Sequence, residues 1–439
     1  MNPLGEAGAW LDARRRESEM RVTPIAFADS REWRLESGRL THRSGRFFTV
    51  VGTRVKARHS RLDGLAQPMI DQPEVGILGF LTRRESSGYS WLCQAKAEPG
   101  NVGGVQIAPT VQATYSNYSR VHGGRPTPYL DWFTRAEAMV QTDVLQSEQG
   151  TAFIDKYNRN VVVLCEEPPG PASADWRWVQ SDSLRQLLGA DHVVNTDARS
   201  VVVSCPWTLL ADEGGPFARW EGSGELGEEL LDSYRATEPA DVRRALTALD
   251  GKDSGNGLRL TTCDLGALPG WQVGRSTIES SDRDQRVGQY AVTASHREVE
   301  TWDQPLLASD AREHILLVGE RRGSVLGFLL HPSAEPGFSK GKQFGPTART
   351  SAIFDGHDDF QQLLESTVPL AVAAHSDEGG RFMQVVSRYE VRVLTDPVAR
   401  PTDSTLTWVS LGTIEQLARR QGALNNELRS AVSLLLQWV

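Results

Sequence analysis

The chain has 439 residues, 39% of them hydrophobic, and a net charge of −9. That length can bury a large core and span two or three domains, while the acidic balance excludes a general nucleic-acid binder, which needs a basic stripe. An anionic substrate must therefore be held by a local cluster of Arg and Lys, not by the overall field. Four cysteines (Cys93, Cys165, Cys205 and Cys263) stand far apart without a Cys-x-x-Cys pair, so reduced, buried thiols are expected. Arg14-Arg15-Arg16 is followed by no apolar run, and no stretch reaches the roughly 18 apolar residues of a membrane span. A cytoplasmic location is the expectation.

Residues 1–20 read as a leader whose amphipathic helix, over 4–20, has Leu4, Trp10, Leu11 and Met20 as apolar positions. A first unit follows over 21–210, then a connector over 211–258, then a second unit over 259–439. The division rests on self-similarity. Arg21-Val-Thr ahead of Phe27 and Trp33 matches Arg259-Leu-Thr ahead of Leu265 and Trp271, at a constant shift of 238. Gln67-Pro68, Glu98-Pro-Gly100 and Pro109-Thr110 match Gln304-Pro305, Glu335-Pro-Gly337 and Pro346-Thr347 at a shift of 237. Trp178-Val179 and the run from Asn195 to Ser200 match Trp408-Val409 and the run from Asn425 to Ser430 at a shift of 230. Such a slowly drifting shift indicates tandem duplication of one domain, not a short-period solenoid.

Within each unit the strand signals dominate: Phe47 to Val51, Val75 to Leu81, Tyr89 to Cys93 and Val161 to Leu164 are short β-branched or aromatic runs bounded by turns. Helices are predicted over 183–188, 413–420 and 428–438. The connector is rich in Gly and acidic residues and holds one helix from Pro239 to about Leu249, with Gly251 just past its end. Each unit is therefore α+β, a mixed sheet with a few helices.

The stretch from Gln94 to Arg120 is the richest in chemistry. Lys96, Glu98, Asn101, Gln106, Gln112, Thr114, Tyr115, Asn117 and Tyr118 offer donors and acceptors from a backbone pinned by Pro99, Gly100 and Pro109. This suits a pocket for a densely hydroxylated small molecule; the alternative is a polar hairpin loop. Other signatures fail. Gly337-Phe-Ser-Lys-Gly-Lys342 is one residue short of a phosphate loop and lacks its Ser or Thr, and no dinucleotide fingerprint, nucleophile elbow or His-x-x-x-His pair occurs. His357-Asp358-Asp359 suits a solvated loop better than a cation site. Arg159 and Arg388 open matching strands, and Arg199 and Arg429 close the two units. Guanidinium groups grip phosphate oxygens with paired, charge-assisted bonds, so their repetition suits a diphosphate ligand, against the alternative of carboxylate-paired arginines. Trp302 ahead of Gln304-Pro305 is placed either to stack on a nucleobase or to pack in a core; its counterpart is Leu65.

With these features assembled, the chain resembles the NDP-hexose 2,3-dehydratase family over nearly its whole length from about Arg21. The most specific words are Gln94-Ala-Lys-Ala-Glu-Pro-Gly-Asn101, the run from Pro109 to Tyr118, Val121-His-Gly-Gly124 and Leu145-Gln-Ser-Glu-Gln-Gly150. The resemblance implies a homodimer with two Nudix-like units per subunit, each able to bind a dTDP-sugar. It also implies action on dTDP-4-keto-6-deoxyglucose in deoxysugar biosynthesis for antibiotics, with the product passed to a 3-ketoreductase. Ligand contacts carried over are Trp302, Arg159, Asn160, Arg388, Tyr389, Asn425 and Arg429, joined by Gln94, Asn101, Gln112, Thr114, Asn117, Arg120, Lys156 and Arg199. The family usually has Trp where Leu65 stands, and no Nudix box of clustered glutamates is present.

The chemistry follows from such a substrate. The C4 ketone acidifies the proton on C3, a base removes it, and the C2 hydroxyl leaves with help from an acid; no redox cofactor or metal is needed. Glu98 or His122 is the expected base, with Lys96 and Tyr115 or Tyr118 polarising the ketone or protonating the leaving group. In the second unit His331, Ser333, Phe338, Arg349 and Phe354 replace Gln94, Lys96, Asn101, Gln112 and Asn117. The first unit is therefore expected to turn over, and the second to bind nucleotide-sugar or give structural support. The rival readings are a Nudix-type hydrolase and a non-catalytic nucleotide-sugar binding module.

Overall fold

The computed structural model describes residues 4–58, 60–114, 126–135, 138–249, 257–294, 299–338, 341–351, 360–395 and 405–439. Among these, the chain is an α+β arrangement of four sheets. The run from Ile77 to Leu81 is apolar throughout because its strand, Gly76–Glu85, lies mid-sheet and is covered on both faces. That seven-stranded sheet runs Met139–Ser147, Tyr157–Leu164, Gly76–Glu85, Gly88–Ala97, Trp176–Gln180, with Val105–Ala108 and Val111–Ala113 attached. Tyr157–Leu164 and Gly76–Glu85 pair in parallel and their neighbours antiparallel, so the sheet is mixed.

A second seven-stranded sheet has the same order in the second half: Thr367–Ser376, Val386–Leu394, Glu313–Arg322, Val325–Ser333, Thr407–Val409, with Gln343–Gly345 and Ala348–Arg349 attached. Between the two sheets lies a pair of buried helices, Thr196–Val203 and Asn426–Ser433. Each is capped by an Asn: Asn195 Oδ1 accepts from Ala198 N at 2.8 Å, and Asn425 Oδ1 from Leu428 N at 2.9 Å.

The remaining two sheets exchange strands between the halves. Arg21–Pro24 pairs with Gln285–Thr293 of the second half, and Arg259–Cys263 pairs with Thr49–Lys56 of the first. Loops are exchanged as well. Gly100 N donates to Gly379 O and Gln384 N to Gly100 O (2.8 and 2.9 Å), while Gly337 N donates to Gly150 O and Asp155 N to Gly337 O (2.7 and 2.8 Å). A Cβ on Gly100 would overlap the Phe382 carbonyl oxygen, and one on Gly337 the Phe153 carbonyl oxygen. The glycines of the two Glu-Pro-Gly words thus serve close backbone approach.

Several boundaries differ from the sequence reading. The leader helix is Gly5–Glu17 and buries Ala7, Trp10 and Leu11, whereas Met20 lies beyond it. The connector holds the expected helix Pro239–Leu249 and a second, Leu226–Arg235, whose Leu230 and Leu231 are fully packed in the main core. Gly227, Glu228, Glu229 and Asp232 lie within that second helix and Asp241 within the first, so composition alone made the segment look looser than it is. The closing helix divides into Asn426–Ser433 and a tighter 3-10 turn, Leu434–Trp438. Cys93, Cys165, Cys205 and Cys263 are free thiols, the first three buried. No helix among the described residues is long and apolar enough to cross a membrane.

Gly100→Ala and Gly337→Ala should each destabilise the fold by about 2 kcal/mol or more, because the new methyl meets backbone with no rotamer to relieve it. Thermal or urea unfolding of each variant checks this.

Candidate active site

The strand Gly88–Ala97 carries Lys96 to the mouth of the turn that bears Glu98. Glu98 is 4% exposed. Its Oε1 accepts from Gln112 Nε2 at 3.0 Å and lies 3.4 Å from Lys96 Nζ, which itself donates to the Gln112 carbonyl at 3.1 Å. Gln112 Oε1 in turn accepts from Asn195 Nδ2 at 2.9 Å, tying this group to the N-terminus of a central helix. Glu98 Oε2 has no hydrogen-bond partner among the described residues. A buried carboxylate oxygen left unmatched is costly, and such oxygens concentrate at functional sites. The Gln94–Ala113 stretch is a hairpin whose polar side chains bond to one another and to the turn after it.

The second half completes this recess. Residues 377–382 lock onto the Glu98 turn through the Gly379 carbonyl, and bring Glu378 and Arg381 with them. A Cβ on Gly380 would stand 2.9 Å from Glu378 Oε1 and 3.5 Å from Glu98 Oε1, so the two carboxyls face one small space. Burial pushes the Glu378 carboxyl up to about 7; Arg381 opposes this, and Glu98 and Glu148 add to it. Asp197 and Glu148, both buried, are also raised chiefly by burial, the first well above the usual carboxylate range. Trp302 Nε1 donates to Gln304 Oε1 (2.9 Å), and Gln304 Nε2 to the Gly380 carbonyl (2.8 Å). The Trp of the second half therefore stands beside the first-half recess, a placement that sequence matching of Trp302 to Leu65 did not disclose.

The matching position in the second half is built differently. Asn425 Nδ2 donates to Glu335 Oε1 at 2.8 Å, but Ser333 stands where Lys96 does and Arg349 where Gln112 does. The Arg349 guanidinium lies 3.2 Å from both Glu427 Oε1 and Glu313 Oε2 and 3.8 Å from Glu335 Oε1. Burial would lower its pKa, but Glu313, Glu427 and Glu335 outweigh that and raise it. A cavity of about 120 Å³ opens there, lined by Trp271, Arg349, Asp377, Phe382, Tyr389 and Glu427 among others.

The predicted arginines are placed otherwise than a diphosphate grip requires. Arg199 and Arg429, each 1% exposed, reach across the helix pair. Arg199 donates to the Val194 and Ser376 carbonyls and to Ser430 Oγ, and Arg429 to the Leu424 and Ser147 carbonyls and to Ser200 Oγ. They brace the fold. Arg159 forms a two-bond pair with Asp143 at 2.7 Å and donates to the Phe133 carbonyl, and Arg388 bonds Glu390 at 2.6 Å. Side chains alternate along a strand, so both face away from their neighbours: Asn158 and Asn160 point to Glu148 and Ser200, and Ser387 and Tyr389 line the second cavity. The cations that do gather near Glu98 are Lys96, Lys156 and Arg381. Lys156 is held by the Glu74 carbonyl, and burial, before any charge effect, lowers its pKa.

Of the other predicted residues, Asn101 is buried and Nδ2 donates to the Lys96 carbonyl, shaping the turn. Gln94 sits within its strand opposite Ala108 and Trp176, and Thr114 ends a described segment. Tyr115, Asn117, Tyr118, Arg120, His122, Phe354 and His357-Asp358-Asp359 lie outside the described residues. Sequence reasoning passed over Glu148, Asp197 and Glu378. The signal existed, since Glu148-Gln149-Gly150 matches Asp377-Glu378-Gly379 at a shift of 229, next to the 230 already in hand.

A family model described as NDP-hexose 2,3-dehydratase matches residues 4–205 and 242–435. The chain belongs to the NDP-hexose 2,3-dehydratase family. Full-length relatives agree. It is 33% identical to a dTDP-4-dehydro-6-deoxy-α-D-glucopyranose 2,3-dehydratase of Saccharopolyspora spinosa, over 99% of this chain and 92% of that protein. It is 33% identical to an enzyme of the same name from Streptomyces violaceoruber (97% and 95% covered) and 31% to one from Amycolatopsis orientalis (97% and 89%). For a dehydratase of this family, a buried Glu beside a Lys and an amide is an acid–base arrangement in the right chemical class.

The buried carboxyls also set a pH dependence. Glu378 and Asp377 are raised to about 7 and Glu335 to about 8, each chiefly by burial. Between their unfolded values and these, the folded chain holds more protons than the unfolded one, so stability falls as pH rises. His375, lowered well below its usual value by burial, acts in the opposite sense only at lower pH. The melting temperature should therefore drop by on the order of a few degrees from pH 6.5 to 8.5, as followed by calorimetry.

Proposed function

We propose that this dehydratase removes water across C2 and C3 of dTDP-4-dehydro-6-deoxy-α-D-glucopyranose, giving a 3,4-diketo-2,6-dideoxyhexose nucleotide, with the chemistry in the first-half recess. The observation that carries the assignment to that recess is Glu98, buried, held through one oxygen by Gln112 beside Lys96, its other oxygen open. Glu98 takes the proton from C3. The C4 oxygen gains charge as the enolate forms, and Lys96 is the cation placed to stabilise it. Tyr115, Tyr118 and His122 remain expected participants from the sequence.

The diphosphate meets Arg381 and Lys156, cations of the Glu378 and Glu148 surroundings; both would have to exchange neutral partners for it, Gln72 Oε1 and the Gly380 carbonyl for Arg381 and the Glu74 carbonyl for Lys156. Trp302, anchored through Gln304, offers a face for the thymine ring. We further propose a tandem duplication of a Nudix-like unit, supported by the matching strand orders, a homodimer, a cytoplasmic location, hand-over of the unstable diketone to a 3-ketoreductase, and no cofactor. The second-half cavity binds a nucleotide-sugar or serves as support.

Glu98→Gln should lower kcat by roughly 10²–10⁴-fold, the usual contribution of a positioned base, with dTDP affinity changed little. Near-normal turnover by this variant would remove Glu98 from the role. Arg381→Ala should raise KM by about tenfold, the loss of one charge-assisted contact of roughly 1.4 kcal/mol, with kcat changed less. Following the purified protein with the 4-keto sugar separates the rivals: metal-dependent release of nucleoside monophosphate would mark a hydrolase, and binding without turnover a module.

A further inference from the structure

The first-half recess contains a second carboxyl that the base assignment does not use, and it comes from the other half of the chain. Glu378 follows the strand Thr367–Ser376, in a loop whose Glu378 carbonyl accepts from Arg381 N (3.0 Å) and Phe382 N (2.9 Å). The Gly379 carbonyl is fixed by Gly100 N at 2.8 Å, and a Cβ at position 379 would overlap the Asn101 side chain. Glu378 is therefore held rigidly against the turn that bears Glu98. Their Oε1 atoms lie 3.5 and 2.9 Å from the point that a Cβ on Gly380 would take, which places the two carboxyls side by side. Glu98 Oε2, on a side chain 4% exposed, has no partner among the described residues, an openness it shares with Oε2 of Glu148 and of Glu335.

The second half provides an internal comparison. It keeps Glu335 in the place of Glu98, but Gln149 stands where Glu378 does, and Gln149 Nε2 donates to Asp377 Oδ1 at 3.0 Å. An amide there cannot supply a proton. Among the described residues, the Glu98–Glu378 pair thus has Glu335 and Gln149 as its counterpart, and the carboxyls that do neighbour Glu335 are drawn to Arg349.

We infer that Glu378, supplied by the second half, is the general acid that protonates the departing C2 hydroxyl in the recess of Glu98. The inference rests on the dehydratase reading. The groups facing Glu378 are Arg381 on its own loop, Lys96 and Glu98 on the first-half turn, Glu148 after the strand Met139–Ser147, and Asp197 on the central helix. Burial, opposed by Arg381 and helped by Glu98 and Glu148, raises it to about 7, so a substantial fraction carries the proton near neutral pH, in the operating range an acid catalyst needs.

The proton balance closes. Glu98 takes the C3 proton and the electron pair passes to the C4 oxygen. The pair returns to form the C2–C3 double bond as the C2–O bond breaks, its electrons going to the oxygen, which receives the Glu378 proton and leaves as water. The enol hydroxyl at C3 then gives its proton to the Glu378 carboxylate while Glu98 returns one to C2. Both groups end as they began, with no oxidant or reductant involved.

The test uses the full chain and dTDP-4-keto-6-deoxyglucose, once wild-type turnover has been established. Glu378→Gln should lose about 10²–10⁴-fold in water elimination, keep dTDP affinity within a few-fold by calorimetry, and still exchange the C3 proton for deuterium in D2O, seen by NMR. Glu98→Gln should lose exchange and elimination together. The wild-type kcat should decline above about pH 7, and the residual rate of Glu378→Gln should lose that limb. Glu378→Asp, which keeps a carboxyl, should recover part of the rate and the alkaline limb, and serves if the Gln variant folds poorly. Elimination by Glu378→Gln within tenfold of wild type, or loss of C3 exchange along with elimination, would overturn the inference. Normal C3 exchange in Glu98→Gln sinks the base assignment separately, without touching Glu378.

Discussion

The structure depends on backbone-to-backbone contact between its halves. Two Glu-Pro-Gly turns, at Glu98 and Glu335, press their glycines against carbonyl oxygens of the opposite half, at Phe382 and Phe153. No side chain intervenes, so the approach is as close as main chain allows and is fixed in register by hydrogen bonds on both sides of each glycine. The carboxyl before each glycine is carried inward by the same turn. Interface and recess are therefore one construction, and the residues that hold the halves together also set the distance between Glu98 and Glu378.

The two Glu-Pro-Gly turns share this frame but are surrounded by different side chains. Lys96, Gln112 and Glu378 surround one carboxyl; Ser333, Arg349 and Gln149 surround the other. Arg349 is the decisive change. Gripped by Glu313 and Glu427 and close to Glu335, it draws the local carboxylates into an ion cluster, and buried ion clusters are held by many partners at once and resist rearrangement. Open carboxylate oxygens occur in both places, at Glu98 and at Glu335; what differs is the cation beside them, a single Lys96 in the first and the multiply paired Arg349 in the second.

Much of this was legible in the sequence. The drifting shift between matched words anticipated two sheets of the same strand order, and the apolar runs located the central strands, because periodicity and turn residues are local properties. The polar stretch around Lys96 and Glu98 could be read as a hairpin, but not for what its side chains bond. What stayed hidden was relational. Arg159 and Arg199 look alike in a sequence, yet one faces outward by strand alternation and the other is sealed between two helices. Glu378 and Trp302 stand beside the Glu98 turn of the opposite half, and alignment of repeats assigns a residue to its own copy by default. The exchange of Arg21–Pro24 and Arg259–Cys263 could not be read either, because either pairing satisfies the same strand pattern.

That exchange bears on how the polypeptide is made. Arg21–Pro24 leaves the ribosome early, but its partner Gln285–Thr293 is synthesised on the order of tens of seconds later at typical elongation rates. The first half must wait with its opening strand unpaired and the Thr49–Lys56 edge bare until Arg259–Cys263 arrives. Exposed edges of that kind invite intermolecular pairing, and either half taken alone would present one, at Arg21–Pro24 and Thr49–Lys56 in the first and at Arg259–Cys263 in the second.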